Sequence, residues 1–269
     1  MKKLFALLLA VLMLFSFVSC AQEEQKTGEG EQKQTIVVGY TIYEPMNYEE
    51  NGKLVGFDTE LAEAVFAKLG YNVTFKLIDW DQKYTELNAG TINCIWNGFT
   101  ANTADSDGVA RSAKVDFSYN YMRNKQVMVV KGDKEITDAE GLKGLKVFAE
   151  SGSAGEGHAK SFKGINYKGV SKQVDALMEV NAGTADVAVL DEQLAKSYCG
   201  QGNYSELKIL PILGSAEEFY AIGFKKNSEL TEKVNAELVK LAEEGYIKTL
   251  AEKYGVQNTA ITDFSDQAK

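Results

Sequence analysis

The 269-residue sequence predicts an α/β protein of two similar lobes, each a sheet flanked by helices, with a ligand cleft between them. Two observations lead there. Apolar strand patterns alternate with amphipathic helix patterns, the order that gives parallel sheets covered by helices. An internal echo relates the halves: "NAGTINCIWNG" at residues 88–98 recurs as "NAGTADVAVLD" at residues 181–191. In each copy a helix pattern runs into a glycine, Gly90 or Gly183, and an apolar strand follows. Glycine just past a helix adopts the left-handed conformation that closes it without a Cβ clash.

The chain opens on "MKKLFALLLAVLMLFSFVS", two lysines and then an apolar run, the layout of an export signal at residues 1–19. Residues 4–18 are short for a membrane-spanning helix, which needs about 20 apolar residues. Cys20 follows, and then "AQEEQKTGEGEQKQ", without a large apolar side chain. Such a segment buries too little surface to offset its chain entropy, so residues 20–34 are expected to act as a flexible tether.

The folded part begins with the strand "TIVVGY" and the helix "DTELAEAVFAKLG", for which Asp58 is the expected cap and Gly70 the stop. The helix "WDQKYTELNA" leads into the first copy of the echo. "LKVFAE" opens the second lobe, and "SKQVDALMEVNA", with Ser171 expected as N-cap, leads into the second copy. "EEFYAIGFKK" reads as a strand returning to the first lobe, and two helices ending at Gly245 and Gly255 follow. The expected lobes are therefore residues 35–124 with 216–264, and residues 125–215.

Composition narrows the function. The net charge of −9 becomes −11 once Lys2 and Lys3 leave with the signal, which argues against nucleic acid as a partner. One histidine, His158, leaves no material for a His-rich metal site or a Ser-His-Asp triad. No cofactor or metal is expected. Cys94 sits in an apolar strand pattern, where a buried free thiol is the usual case, and Cys199 forms no CxxC pair with it. Of twenty-nine basic residues only Arg111 and Arg123 are arginine, both within "VARSAKVDFSYNYMRN". A guanidinium grips a carboxylate with two parallel hydrogen bonds, which lysine cannot do.

In this order and spacing, "VVGYTIYEPMNY", "NGKLVGFDTELAEAVFAKLG", "IDWDQKYTELNAGTINCIWNGFT", "RSAKVDFSYNYM", "GLKGLKVFAESGSAGE" and "ADVAVLDE" resemble the family 3 solute-binding proteins of ABC importers for polar amino acids. The resemblance runs from Thr35 to about Gly255. It implies a type II periplasmic-binding-protein-like fold and an amino acid held between the lobes for delivery to permease subunits. "FVSC" resembles a lipobox, implying lipidation of Cys20. The expected protein is exported, monomeric, and anchored at the outer face of the cell membrane or in the periplasm.

The same resemblance assigns roles one position at a time. Arg111 would receive the α-carboxylate, joined by Gly152, Ser153 and Ala154 at the start of a helix, where backbone N–H groups and the helix dipole favour an anion. Asp191 would take the α-ammonium; its ordinary alternative is a helix N-cap before "EQLAKSYC". Thr100 supplies a hydroxyl, Asn97 and Gly98 backbone groups, and Tyr43 and Trp80 aromatic faces for the ligand's stem. Glu150 matches a position that meets the ligand side chain in some relatives; facing the pocket, it would disfavour an acidic ligand.

Two departures bear on the carboxylate. Thr100 and Arg111 lie eleven residues apart where the family has about five, so residues 103–110 form an insertion: Arg111 reaches the site from a rebuilt loop, or Arg123 does the work, or the ligand lacks a free carboxylate. "FSYNYM" also replaces the family's "FSxPY", leaving Arg123 beside the crossing between lobes. Two other functions fit the fold: a dehydratase acting on cyclic precursors of aromatic amino acids, with Glu44, Glu150 and Asp191 as candidate acids, and a ligand-sensing module for a signalling partner.

Overall fold

The computed structural model describes residues 33–212 and 214–268. The expected export signal and Cys20 lie outside the described residues, as does nearly all of the tether.

Two five-stranded sheets share one plan. The first runs Asn72–Leu77, Thr35–Tyr40, Cys94–Ile95, Gly223–Phe224, Asp116–Phe117, and the second Asn166–Val170, Lys146–Glu150, Val187–Asp191, Gln126–Lys131, Leu207–Pro211. In each, the first three strands are parallel and the fourth is antiparallel to both neighbours. The fourth strand reaches each sheet after a crossing: Gly223–Phe224 joins the first sheet from the chain's late segment. The two crossings pair as an antiparallel ribbon, Met122–Asn124 with Glu218–Tyr220. "EEFYAIGFKK" is therefore two short strands, one in the ribbon and one in the sheet.

Local chemistry explains where the helices stop. Gly90 (φ 74°) and Gly183 (φ 79°) each occupy the left-handed position past a helix, and each leads into the third strand of its sheet. The echo in sequence is thus an echo in topology. The helix Phe57–Lys68 turns Phe57, Leu61, Ala62, Val65 and Phe66 inward, the 3.6-residue spacing of a stripe buried on one side. It packs against Glu229–Glu243 and Tyr246–Lys253, over a core that includes Val38, Trp96 and Leu238.

Two expected caps are corrected. Gly56 holds the N-cap position before Phe57–Lys68, and Asp58 sits inside the first turn, fully buried. Its Oδ2 accepts from the Gly98 N–H (2.8 Å) and the Tyr121 hydroxyl (2.9 Å), so the carboxylate ties the helix to two loops instead of capping. Lys172 takes the N-cap position of Gln173–Ala182, one residue beyond Ser171. Cys94 is buried, Cys199 is partly exposed, and both are free thiols.

Candidate functional site

The carboxyl ends of strands from both sheets face one another across a small enclosed cavity. One wall carries Trp80, Asn97, Gly98, Thr100 and Arg111, and the other Glu150, Ser153, Ala154, Gln173 and Asp191. Ligands of open α/β sheets sit at such strand ends, where loops and helix N-termini meet.

Arg111 opens the short helix Arg111–Lys114 and is 1% exposed. Its Nε donates to Asp105 Oδ1 (2.8 Å), Nη1 to the Thr100 carbonyl (3.1 Å) and Nη2 to the Gly152 carbonyl across the cleft (3.2 Å). The guanidinium lies 5.1 Å from the Phe99 ring centre. Asp105 comes from the insertion, which folds on itself through Asp105 N–H to Val109 O and Gly108 N–H to Asp105 O. Burial works against the Asp105 charge, but Arg111 and Lys114 outweigh it and hold the carboxyl below its usual range. Arg123 behaves differently: it lies on the crossing ribbon, its side chain half exposed and 3.6 Å from Glu217 Oε1. Of the two arginines, the cavity wall contains Arg111.

Asp191 ends its strand at the N-cap position of Glu192–Tyr198, yet its side chain makes no capping bond. Its carboxylate accepts from Asn124 Nδ2 (2.7 Å), Gln126 Nε2 and Gln173 Nε2, while its N–H donates to Gln173 Oε1. Burial and the neighbouring Glu218 carboxylate push its pKa up. Glu218 is itself buried, and its Oε2 accepts from Gln126 (2.9 Å), Asn124 (3.1 Å) and the Thr100 hydroxyl (3.3 Å). The crossing ribbon thus carries its own polar residues into the base of the cleft.

At the helix Ala154–Ser161, Ser153 is the N-cap and its Oγ accepts the Glu156 N–H. The Gly152 N–H, expected to face an anion, donates instead to Glu156 Oε2 (2.8 Å), and the Ser153 N–H to the Glu150 carbonyl. Gly152 lies outside the cavity lining; its carbonyl serves as an acceptor for both Arg111 and Lys83. The Ala154 and Gly155 N–H groups, in the helix's first turn, have no intrahelical carbonyl to bond.

Tyr43 also stands behind the lining. Its ring packs on Gly98, where a Cβ would come within 2.6 Å of it, and its hydroxyl bonds the Tyr220 hydroxyl (2.6 Å). Trp80 lines the cavity, edge-on to Phe99 with ring centres 5.4 Å apart. The Asn97 side chain is spent on Thr41 and Asn47, which fixes the loop beside it. Among the candidate acids, Glu44 lies apart from the lining and bonds Tyr198, whereas Glu150 and Asp191 share the cavity.

Sequence reasoning missed Asp105, Lys83, Asn124, Gln126, Gln173 and Glu218. Lys83 is 2% exposed; its ammonium donates to the Trp80 and Gly152 carbonyls and faces the Trp80 and Tyr84 rings. Burial, then Arg111, lowers its pKa to about 7.

Residues 36–257 match the model of the bacterial extracellular solute-binding proteins, family 3. The arginine-binding extracellular protein ArtP of Bacillus subtilis is 28% identical over 258 residues, 94% of this chain and 98% of that protein. An ancestral arginine-binding protein bound to arginine superposes with a TM-score of 0.74 at 35% identity, covering 82% of this chain and 98% of that one. A substrate-binding protein of an ABC uptake transporter from Streptococcus pneumoniae, with bound histidine, gives a TM-score of 0.74 at 30% identity, covering 84% and 94%. These relatives are binding proteins rather than enzymes, and their two-lobed type II fold is the fold seen here. The chain belongs to the family 3 bacterial extracellular solute-binding proteins.

Proposed function

We propose that this protein captures a free amino acid between its lobes and delivers it to the permease of an ABC importer, held to the membrane by a lipid on Cys20. The observation that carries the reading is the opposition of Arg111 and Asp191 across one cavity. Arg111 has guanidinium N–H groups beyond the three it spends on Asp105, Thr100 and Gly152, enough for a carboxylate. Asp191 is held by three side-chain amides and faces the place of an ammonium. Ser153 and the first turn from Ala154 would complete the carboxylate's partners, Thr100 would join them on turning its hydroxyl away from Glu218, and Trp80 would pack on the ligand stem. Residues 35–124 with 216–264 would move against residues 125–215, the crossing ribbon serving as hinge.

Calorimetric titration with the twenty common amino acids tests this. Binding to at least one of them supports the reading, and no heat from any would refute it. Labelling with a radioactive fatty acid in the native host, lost on Cys20→Ala, tests the anchor separately.

A further inference from the structure

The crossing ribbon buries a second carboxylate beside Asp191. Glu218 stands opposite Asn124 in the ribbon, and the two acids are 4% and 5% exposed, Glu218 the lower. Two amide nitrogens serve both. Asn124 Nδ2 donates to Asp191 Oδ1 (2.7 Å) and to Glu218 Oε2 (3.1 Å), and Gln126 Nε2 donates to the same two oxygens. The acids are therefore neighbours in one buried cluster, where like charges repel and seldom both ionise.

That cluster is short of donors. Asn124 Oδ1 and Gln126 Oε1 are buried without a hydrogen-bond partner, and such acceptors are costly unless something supplies a hydrogen. No lysine or arginine pairs with either acid among the described residues. Arg111 is held by Asp105 and Lys83 by carbonyls, Arg123 pairs with Glu217, and Lys125 and Lys196 pair with Glu192. Glu150 adds its own repulsion toward Asp191. Burial holds the nearby Tyr43 and Tyr220 phenols far above their usual range, so they stay neutral. The one imidazole, His158, has its Nε2 3.7 Å from Glu218 Oε1, beyond hydrogen-bond length.

We propose that Glu218 and Asp191 hold one proton between them in the ligand-free protein, and that the ligand's ammonium displaces it to solvent. This rests on the amino-acid reading above and adds a proton to it. In the exchange an O–H bond of the pair breaks, its proton passes to water, and an ammonium N–H takes its place. The protonated pair carries the same net charge as the ionised pair with an ammonium, so the buried cluster keeps its charge on binding. Glu218 lies outside the cavity lining and is a positioning residue, acting through Asp191. Burial, then Glu218, pushes the Asp191 carboxyl up to about 6. Affinity should therefore fall as pH drops below that value, where the ammonium has a proton to displace, and level off above it.

The test is calorimetry of the best-bound amino acid at pH 5 and pH 8, each in two buffers of different ionisation heat. The dependence of the heat on the buffer, with the ligand's own ionisation subtracted, counts the protons released. The wild type should release about one proton at pH 5 and about none at pH 8, and bind about tenfold weaker at pH 5. Glu218→Gln should release about none at either pH and lose most of that tenfold difference. A variant weakened equally at both pH values, its proton count intact, would make Glu218 merely structural and overturn the proposal. His158→Gln and Glu150→Gln should keep the proton count whatever they do to affinity; its loss in either moves the proton to that group and also overturns the pair. Near-ultraviolet circular dichroism checks folding. Should Glu218→Gln not fold, the other counts decide: about one proton at pH 5 in the wild type and both controls supports the pair, and none overturns it. Binding without proton release leaves the amino-acid reading standing and overturns only the pair. Failure of every amino acid to bind overturns both.

Discussion

Arg111 Nε donates to Asp105 Oδ1 across 2.8 Å, with the arginine 1% and the aspartate 9% exposed at their side chains. The insertion that lengthens the route from Thr100 to Arg111 therefore carries the carboxylate that aims the guanidinium. Lys114 bonds the other Asp105 oxygen and also Asp107, so the middle of the loop is tied to the helix that follows it. Breaking a buried pair by removing one partner costs about 3–5 kcal/mol, because the other charge is left uncompensated. Asp105→Ala should lower the melting temperature and weaken ligand binding by about tenfold or more, through Arg111. Arg111→Lys should abolish measurable binding while keeping the fold, since an ammonium cannot reproduce the fork. Calorimetry beside a thermal melt separates the two effects; unchanged affinity in Asp105→Ala would show that Arg111 needs no brace.

Lys83 joins the lobes through the Gly152 carbonyl, at 2.9 Å. Hydrogen bonds from charged groups contribute about 1.5–3 kcal/mol, and this one exists only when the lobes meet. Lys83→Met should therefore weaken binding by about tenfold and raise the dissociation rate, with little change in small-angle scattering of the ligand-free protein. Stopped-flow tryptophan fluorescence measures the rate, and an unaltered one contradicts the role.

Gly98 combines a φ of 58° with a Tyr43 ring carbon 2.6 Å from where a Cβ would stand. Gly98→Ala meets both the left-handed penalty and overpacking against two tyrosines, and should cost about 1–3 kcal/mol. Urea unfolding checks this. A loss below about 0.5 kcal/mol would mean that Tyr43 yields freely.

Asp58 is fully buried, and burial pushes its pKa from an ordinary 3.8 up to about 7, against bonds from Tyr121 and Gly98. The folded state then holds a proton that the unfolded chain has released between those two values. Asp58's contribution to stability is thus fully present below 3.8 and is lost as pH rises toward 7. Asp58→Asn, which keeps an acceptor for both donors, should remove this decline. Urea midpoints at pH 5 and pH 8 should differ less in the variant than in the wild type; an equal difference would place the titration elsewhere.

The fold was legible where its cause is local. Glycines past helices must be left-handed wherever the chain goes next, so "NAGT" marked the third strand in both sheets. Caps were less legible, because Gly56 at φ 128° admits a sharp entry that lets Asp58 turn into the core. In the candidate site, the residues at strand ends and at the helix start could be read, since motif spacing carries them. Asn124, Gln126, Gln173 and Glu218 could not, because each bond in their cluster joins residues from 18 to 118 apart. Gln126 did leave a trace, an amide opening the apolar strand "QVMVVK". Lys83 left none: an inward lysine on an amphipathic helix looks like an outward one until Gly152 and the aromatic rings are placed around it.

The central claim is that Arg111 and Asp191 read the two charged groups on a ligand's α-carbon. Calorimetric comparison of the best-bound amino acid with its methyl ester and its N-acetyl derivative tests it most directly. The ester removes the anion meant for Arg111, and acetylation the cation meant for Asp191. Each derivative should bind weaker by about a hundredfold or more, the loss expected when a buried charge is left unpaired. Derivatives that bind as tightly as the free amino acid would contradict the account.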